Sequence, residues 1–311
     1  MRAFLLRITT AAERLRIWLV HQQWFSSKLL PAMPRRLRWA LRTIYLKPVD
    51  LADRLRGPNH PVVPPRAHNY SGPSMATDWG NWSEAVDTLR DLAGLTPSSR
   101  VLDVGCGMGR LAAAMSSFFD ATGSYDGLDI VPDGIKWCKE NIVGRHDNVH
   151  FTLSDVRNGE YNPQGKIEAV DYRFPFDDEL FDLVVLVSVF THMLPDDLEH
   201  YLEEIARILK PTGSCFATYY LLTEESRELM LNKNSRKCFK HHFGSYSVMS
   251  AKVPELGVAY DVQFIEQLYA QHGLTSERYL GWWFRGQPSR WSPLPGEQDA
   301  LVARKRAAGF E

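Results

Sequence analysis

Three glycines alternate with other residues at the end of an apolar segment, in the sequence VLDVGCGMGR of residues 101–110. Gly105, Gly107 and Gly109 are of the residue type that lets a backbone turn sharply and approach a ligand closely. Where such a turn leads from a strand into a helix, free N–H groups and the helix dipole favour negative charge. A dinucleotide site uses the spacing G-x-G-x-x-G, whereas this chain has G-x-G-x-G. The stretch therefore predicts a binding loop for a nucleotide-like cofactor without deciding which one.

Acidic residues flank this loop at positions where a nucleoside could use them. Asp103 lies two positions before the first glycine, and Asp129 lies 20 residues after the last, at the end of the next predicted strand. A carboxylate there can accept hydrogen bonds from both ribose hydroxyls, because two acceptor oxygens match two vicinal donors. Asp155 ends a third predicted strand, where an adenine amino group could meet it, and Ser188 lies near the end of a fourth. Dinucleotide and S-adenosylmethionine sites share the ribose carboxylate, so it does not distinguish them.

Alternating strand and helix signals predict the elements that position these residues. Strands are predicted over residues 100–104, 125–130, 149–155, 180–190 and 214–222, with helices over 83–93, 111–119, 132–142 and 196–209. This alternation predicts an α/β domain with a mostly parallel sheet. A helix over 262–272 precedes two strand-like pieces, 274–283 and 299–304, whose Pro/Gly-rich connection predicts an antiparallel pair at the sheet edge. Residues 223–260 are polar and irregular, and are predicted to form an insertion that covers an acceptor site.

Five sequence motifs, taken in order, resemble those of one enzyme family. VLDVGCGMGR resembles the first motif of class I S-adenosylmethionine-dependent methyltransferases, YDGLDI the second, and FTLSDV the adenine-binding strand end. YRFPFDDELFDLVVLVSVFTHM resembles the fourth-strand region, and YLEEIARILKPTGS the helix and turn before the fifth strand. The resemblance covers residues 97–222. It implies a Rossmann-like doubly wound sheet, mostly parallel with an antiparallel last strand, and S-adenosylmethionine as the cofactor.

The resemblance also implies a set of cofactor-binding residues. In this family the glycine loop holds the methionine part of the cofactor rather than a pyrophosphate. Asp103 would orient that loop or meet the cofactor's ammonium group, directly or through water. The alternative for Asp129 is an exposed strand-end acid, and for Asp155 a turn-forming residue. The predicted set consists of Asp103, Gly105, Cys106, Gly107, Gly109, Asp129, Ile130, Asp155, Val156 and Ser188.

Methyl transfer to a hydroxyl group needs a base, because the hydroxyl is otherwise a poor nucleophile. His192, in the sequence FTHM just beyond the fourth strand, is the predicted catalytic residue, with a structural role as the alternative. His241 and His242 lie in the insertion and are alternative candidates. Tyr219 and Tyr220 end the fifth strand and could line the acceptor site or pack in the core. No carboxylate cluster resembles the ligand set of catechol-type enzymes, so no metal is predicted. No NPPY-like motif of the kind found in enzymes that methylate amino groups of nucleic acids and proteins follows the fourth strand, so O-methylation of a small-molecule or lipid-linked sugar acceptor is expected.

Charge divides the chain into two regions of opposite sign. Residues 1–66 carry a net charge of +10 and residues 67–311 one of −11. Residues 1–66 are predicted to be a basic amphipathic helical arm, with helices over residues 3–20 and from Pro34, followed by a Pro-rich linker. The arm either lies on an anionic membrane surface through residues 1–46 or packs on the acidic body or on a second subunit in a homodimer. The expected localisation is cytoplasmic, peripheral on the membrane in the first case, with an organelle transit peptide as an alternative.

The identity of the acceptor is the part that the sequence leaves most open. The tryptophan-rich tail from Gly281 resembles tails of bacterial methyltransferases associated with glycan and glycolipid assembly. Trp282, Trp283 and Trp291 could stack on sugar faces or pack at the sheet edge. The acidic body argues against nucleic acid as a partner. Two alternatives remain open, a protein or RNA methyltransferase that uses the basic arm for binding, and a non-catalytic subunit of the same fold.

Overall fold

The chain divides into two compact units, residues 1–80 and 81–311. A computed structural model describes residues 33, 63–70, 82–143, 147–232, 235, 237–279, 281, 283 and 298–305, with ten positions between 37 and 51. The helix predicted over residues 3–20, the start of the second helix at Pro34, and Trp282 and Trp291 lie outside these residues.

In the first unit, the described positions between 37 and 51 are helical. The apolar stripe predicted for this helix includes Leu37, Leu41 and Ile44, and all three side chains are exposed, Ile44 to 69%. The carboxylate of Asp50 accepts hydrogen bonds from the backbone N–H groups of Arg66 and Ala67, at 2.6 and 3.1 Å. These three apolar side chains therefore lie on the surface, while Asp50 ties the helical positions to Arg66 and Ala67.

The second unit alternates strands and helices as the sequence predicts. Its strands are β1 (Arg100–Val104), β2 (Ser124–Asp129), β3 (Val149–Leu153), β4 (Phe181–Leu186), β5 (Leu209–Tyr219), β6 (Leu221–Leu222), β7 (His241–His242), β8 (Tyr246–Val248), β9 (Val258–Asp261), β10 (Leu274–Tyr279) and β11 (Asp299–Lys305). Its helices are α1 (Trp82–Ala93), α2 (Arg110–Met115), α3 (Pro132–Asn141), α4 (Pro195–Ile208), α5 (Glu224–Leu231) and α6 (Val262–Gln271).

Seven of these strands form the main sheet, in the order β10-β11-β5-β4-β1-β2-β3. The pairs from β3 to β5 are parallel, whereas β11 runs antiparallel to both β5 and β10. The strands β1 and β4 are buried almost throughout, as central strands of a sheet with helices on both faces must be. This arrangement confirms the predicted doubly wound, mostly parallel sheet with an antiparallel last strand.

Helix α4 shows how the sequence pattern produces the packing. Pro195 occupies its first turn, where backbone N–H groups have no acceptor within the helix, so the N–H that proline lacks costs no hydrogen bond. Two acidic residues follow it and interact favourably with the positive end of the helix dipole. Leu198, Leu202 and Ile205 recur at helical spacing and are fully buried in the core beside the sheet. The apolar stripe thus holds the helix against the sheet, where burial of each leucine contributes about 2 kcal/mol.

The strand β5 differs from its prediction at its beginning. The sequence Lys-Pro-Thr-Gly of residues 210–213 predicts a turn before a strand at Ser214, but the strand already begins at Leu209. Its pairing with β4 shifts here, because Phe181 opposes Leu209 whereas Leu183 opposes Ser214. The four residues therefore form an irregularity within the strand, as expected for a proline that cannot donate a ladder hydrogen bond.

The segment predicted as an irregular insertion contains regular structure. Helix α5 begins with a capping box, in which the side chain of Thr223 accepts from the Ser226 N–H and that of Ser226 from the Thr223 N–H. The strands β6, β9, β8 and β7 then form a second sheet in that order. These strands have only two to four residues each, so no alternation of polar and apolar residues is long enough to reveal them.

A buried carboxylate, Asp299, joins the start of β11 to two other segments of the same polypeptide, at Leu221 and at residues 281–283. Its oxygens accept hydrogen bonds from the backbone N–H groups of Leu221 and Gly281 and from the indole N–H of Trp283, at 2.6 to 2.9 Å. Burial raises the pKa of Asp299 to about 6, while these three hydrogen bonds oppose the rise. The residue therefore binds a proton more tightly in the folded protein than in the unfolded chain.

This raised pKa predicts a pH-dependent contribution to stability. Because the folded pKa is about 6 and the unfolded value is about 3.9, the stability contributed by Asp299 is present at low pH and lost as pH rises between these values. We expect the free energy of unfolding of the wild type to fall, relative to Asp299→Asn, by about 2–3 kcal/mol over this range. Urea unfolding followed by tryptophan fluorescence measures the difference, and parallel pH profiles would contradict it.

Candidate functional site

The glycine loop after β1 adopts the conformation that its residue types allow. Gly105, Gly107 and Gly109 have φ angles of 76°, 59° and 76°, in the left-handed region that other residues rarely occupy. A Cβ atom added to Gly105 would overlap the side chain of Val189, and one added to Gly109 would overlap that of Ile142. Both positions therefore require glycine for two reasons, the backbone conformation and the close approach of a neighbouring segment.

Asp129, at the end of β2, holds this loop in place. It is buried, and its two oxygens accept hydrogen bonds from the backbone N–H groups of Gly107 at 2.7 Å and Val131 at 2.8 Å. The alternative prediction of an exposed strand-end acid is therefore wrong, because Asp129 is buried and bonded to the backbone of two neighbouring segments.

Asp103 is a second buried carboxylate beside the loop. The hydroxyl of Tyr125 donates a hydrogen bond of 2.5 Å to it. Burial raises the pKa of Asp103 to about 7; the charge of Asp129 adds to the rise, and the Tyr125 hydrogen bond opposes it. A positive group placed beside Asp103 would favour its ionised form, so this position suits a cationic ligand better than an anionic one.

The remaining residues of the predicted set near β2 and β3 fall into buried and exposed positions. Cys106 is buried within the loop, and its N–H donates to the Leu128 carbonyl at 3.1 Å. Ile130 is partly buried against the core, and Val156 is buried. Asp155 is exposed, and its carboxylate lies 3.7 Å from the ammonium group of Lys166. Its side chain is therefore accessible to a ligand at the end of β3.

Ser188, two residues beyond β4, occupies an unusual backbone conformation. Its φ angle is 62°, which a serine adopts only when its surroundings enforce it. The Ser188 N–H donates to the Thr218 hydroxyl at 2.8 Å, and both hydroxyls donate to the side-chain carbonyl of Gln298, at 3.0 and 2.5 Å. The amide N–H of Gln298 donates in turn to the Tyr220 hydroxyl at 3.3 Å. Sequence reasoning did not find Gln298, because it lies 110 positions after Ser188 and belongs to no motif.

His192 lies in a short 3₁₀ turn after β4, within a separate group of contacts. Its Nδ1 lies 2.8 Å from the backbone carbonyl of Glu255, and its Nε2 lies 3.5 Å from the Tyr161 hydroxyl. Because a carbonyl only accepts, Nδ1 carries the proton and Nε2 presents its lone pair. Burial lowers the pKa of His192 to about 4, although the hydrogen bond to Glu255 opposes this. The ring is therefore neutral at physiological pH.

The other candidate residues occupy different environments. His241 and His242 are exposed on β7, and His242 lies 2.8 Å from the Ser247 hydroxyl. Tyr219 is fully buried, with its hydroxyl 2.8 Å from that of Tyr269, so it packs in the core. Trp283 is also fully buried, against the aromatic rings of Tyr220 and Phe239. Trp283 is therefore a packing residue and cannot stack on a sugar in this conformation.

The sheet register brings the acidic residues and the loop together at one edge. Asp103 is paired with Gly127 of β2, and Asp129 with Leu153 of β3, so the carboxyl ends of these strands are adjacent. The Ser154 N–H also donates to the Asp129 carbonyl at 2.9 Å. The edge thus combines a glycine loop, two buried carboxylates and the exposed Asp155, and the pKa of Asp103 makes it suited to a cationic ligand. Among the residues described, no group of three or more His, Cys, Asp or Glu side chains could hold a metal ion.

Comparison with curated proteins finds relatives that act on lipids. Over 127 residues the chain is 33% identical to a fatty-acid O-methyltransferase of Mycolicibacterium smegmatis, a match covering 40% of this chain and 36% of the relative. Over 116 residues it is 32% identical to the phthiotriol/phenolphthiotriol dimycocerosates methyltransferase of Mycobacterium leprae, covering 37% and 35% respectively. The matched stretch thus spans little more than a third of the length of either relative.

The fold and the family comparison agree with this similarity. The structure superimposes on the crystal structure of a Pyrococcus horikoshii OT3 protein with a TM-score of 0.50 and 19% sequence identity, covering 75% of this chain and 93% of that one. At this identity the likeness concerns the fold alone. Residues 102–217, from β1 to β5, match the family described as methyltransferase domain. The chain therefore carries a domain of the class I S-adenosylmethionine-dependent methyltransferases.

Proposed function

We propose that this protein transfers the methyl group of S-adenosylmethionine to an oxygen atom of a small-molecule or lipid-linked acceptor. The observation that carries the proposal is the loop of Gly105, Gly107 and Gly109, which Asp129 holds by a hydrogen bond to Gly107 within a methyltransferase domain. Support for a lipid-linked acceptor comes from the relatives named for fatty acids and phthiotriol dimycocerosates. Residues 67–311 are the catalytic domain in this proposal, and residues 1–66 form its basic arm.

The cofactor supplies an electrophilic methyl group on a sulfonium centre when it is bound. Asp129 would hold its ribose, and Asp103, in the ionised form, would hold its ammonium group. Asp155 and Val156, just after β3, would bind the adenine. Ser188 borders the cofactor at the end of β4, where the hydrogen bonds to Thr218 and Gln298 hold its backbone in place.

His192 is the proposed general base for a hydroxyl acceptor. In this role Nε2 would accept the proton, and the Tyr161 hydroxyl, 3.5 Å away, would have to turn from it; the Glu255 carbonyl engages Nδ1 and fixes the orientation of the ring. A pKa of about 4 keeps the ring unprotonated at neutral pH but makes it a weak base. A carboxylate acceptor such as a fatty acid is already ionised and needs no base. The dependence of the reaction on His192 therefore distinguishes the two kinds of acceptor.

The basic arm is proposed to hold the protein at an anionic membrane surface as a peripheral cytoplasmic enzyme. Leu37, Leu41 and Ile44 are exposed along one helix in a region of net charge +10, a combination typical of interfacial helices. Within the described residues, no helix is long and apolar enough to cross a bilayer. Contact between two such stripes in a homodimer is the alternative use of this surface.

A macromolecular substrate is the second candidate function. The positive charge of residues 1–66 is the observation that favours it, since a basic arm also attracts RNA or an acidic protein. The net charge of −11 on residues 67–311 opposes it, because an extended phosphate backbone would be repelled near the site. A non-catalytic subunit is the third alternative, and the complete glycine loop with Asp103 and Asp129 argues against it.

The role of Asp129 can be tested by cofactor binding. We expect Asp129→Ala to weaken binding of S-adenosylhomocysteine, measured by calorimetry, about tenfold or more, since hydrogen bonds to a charged group contribute about 1.5–3 kcal/mol. Asp133→Ala is the matched control, because Asp133 is exposed in the first turn of α3. Equal affinities of the two variants would contradict the role, and binding of NADH in place of S-adenosylhomocysteine would refute the cofactor.

The role of His192 can be tested by turnover. With a hydroxyl acceptor, we expect His192→Ala to lower kcat about a hundredfold or more while the affinity for S-adenosylhomocysteine changes little, because only proton removal is lost. With a fatty acid acceptor the same variant should retain most of its turnover. His150→Ala, at an exposed position of β3, is the control. Unchanged turnover with a hydroxyl acceptor would exclude His192 as the base.

The acceptor class can be identified with radiolabelled S-adenosylmethionine. We expect label to enter the pools of fatty acids, glycolipids or small hydroxyl compounds, and not RNA or protein. The chain without residues 1–60 should bind vesicles more weakly but keep methyl transfer to a soluble acceptor, because the arm contributes attachment and not chemistry. Label in RNA, with RNA binding that disappears on this deletion, would favour the macromolecular alternative.

A further inference from the structure

A basic segment interrupts the acidic second unit. Residues 229–254 contain five Lys or Arg residues, the two histidines His241 and His242, and not one Asp or Glu. By contrast, acidic residues outnumber basic ones by 34 to 23 over residues 67–311. The segment runs from the end of α5 through β7 and β8 of the second sheet. The first strand of that sheet, β6, begins directly after the carboxyl end of β5. This positive charge is thus concentrated near the edge that carries the proposed active site.

The strands β7 and β8 form a short finger at the outer edge of this sheet. β7 is the last strand in the sheet order and pairs only with β8. The Phe243 N–H donates to the Tyr246 carbonyl at 2.9 Å and closes a two-residue turn, in which Gly244 has a φ angle of 73°. Every residue from Lys240 to Gly244 is exposed.

An apolar side chain stands at the tip of this finger. Phe243 is 50% exposed and stacks on Tyr246, with ring centroids 5.3 Å apart. Among the described residues of the second unit, only Leu231 is a more exposed large apolar side chain, at 82%, and it lies in the same basic segment. The two most exposed apolar side chains of this unit therefore coincide with its one acid-free stretch of 26 residues.

The base of the finger is firmly anchored, so the exposed tip is not a frayed end. Val248 is fully buried in the main core, and Phe239 is buried against Tyr220 and Trp283. The hydroxyl of Tyr260, on the adjoining strand β9, donates a 2.5 Å hydrogen bond to the Met193 carbonyl, next to His192. The tip therefore keeps a fixed position relative to the turn that carries His192.

We propose that the finger, residues 240–246, docks on an anionic lipid bilayer, with Phe243 inserted among the headgroups and Lys240 paired with their charge. An aromatic ring flanked by basic residues is the combination that binds such an interface. Nucleic acid fits less well, because exposed Phe243 and Leu231 would meet phosphates and the surrounding unit is acidic. The choice of a bilayer rests on the proposed lipid-linked acceptor. A protein docked through the finger would place His192 close to this acceptor while the acceptor stays in the membrane.

Vesicle partitioning of the full chain tests this surface. Sedimentation with vesicles of phosphatidylcholine, alone or mixed with phosphatidylglycerol, gives a partition coefficient. The basic arm and the finger each multiply this coefficient when both are bound, so a loss at the finger can be measured in the full chain. We expect Phe243→Ser and Lys240→Glu each to lower partitioning to the anionic vesicles about tenfold, because the first removes the inserted ring and the second reverses a charge that attracts the anionic surface. Phe243→Trp should bind at least as well as the wild type, because tryptophan suits the interface.

Matched controls separate this site from general effects of charge and apolarity. Val170→Ser removes a similarly exposed apolar side chain outside the basic segment, and Lys136→Glu reverses an exposed charge on α3. Both controls should partition within about twofold of the wild type, since neither side chain lies in the finger. Partitioning of Phe243→Ser and Lys240→Glu equal to that of the controls would overturn the proposal. If these two variants lost binding to RNA but kept binding to vesicles, the proposal would be overturned as well.

The outcome can be told apart from a failure of the proposed function. Vesicle binding needs neither cofactor nor acceptor, whereas binding of S-adenosylhomocysteine does not involve the finger. All finger variants should therefore bind S-adenosylhomocysteine as the wild type does, which also shows that they are folded. A wild type that binds vesicles through the finger but never transfers methyl groups would refute the enzyme and keep the surface. A wild type that transfers methyl groups, with finger variants that still bind vesicles normally, would confirm the enzyme and refute the docking surface.

Discussion

The bonding of the Asp129 carboxylate is the interaction on which the site depends. One oxygen holds the glycine loop at Gly107 and the other holds Val131 at the start of α3, so a single side chain links β2, the loop and a helix. The same negative charge adds to the raised pKa of Asp103 nearby. Two carboxylates at one sheet edge repel each other, and a cationic ligand relieves that repulsion. This edge therefore favours a cofactor that carries a positive charge, whereas a pyrophosphate would add to the negative charge.

The proposed acceptor side differs from the cofactor edge, because loops rather than strand ends provide its residues. Tyr161 follows β3, His192 follows β4, and Glu255 belongs to the turn before β9, yet all three meet within hydrogen-bond distance. Their contacts involve a backbone carbonyl and a tyrosine hydroxyl, which many sequences could provide. A second group joins Ser188, Thr218 and Gln298 in the same way. The chemistry of the cofactor thus rests on rigid elements, and the choice of acceptor on segments that can vary independently.

The sequence predicts the cofactor edge better than the acceptor side for a physical reason. Glycine spacing and strand-end acids act over a few residues, so Gly105, Asp103 and Asp129 stand out in the sequence, and the alternation of strands with helices predicts a mostly parallel sheet. Gln298 and the partners of His192 are contacts between distant segments, with no local pattern to announce them. The small sheet was missed because its strands are too short to show alternation. Only folding brings these residues together, so a single sequence could not reveal them.

The position of β11 has a consequence for how the protein is made. This strand lies between β5 and β10, although it follows β5 by about eighty residues in the chain. Until residues 299–305 leave the ribosome, the backbone groups along one side of β5 have no neighbouring strand and can pair with another nascent chain. The β5–β11 ladder, from Ser214 to Tyr219 on one side, can form only after β11 itself has been synthesised. Completion of the sheet therefore waits for this distant strand, and β5 keeps an unpaired side that can aggregate until then.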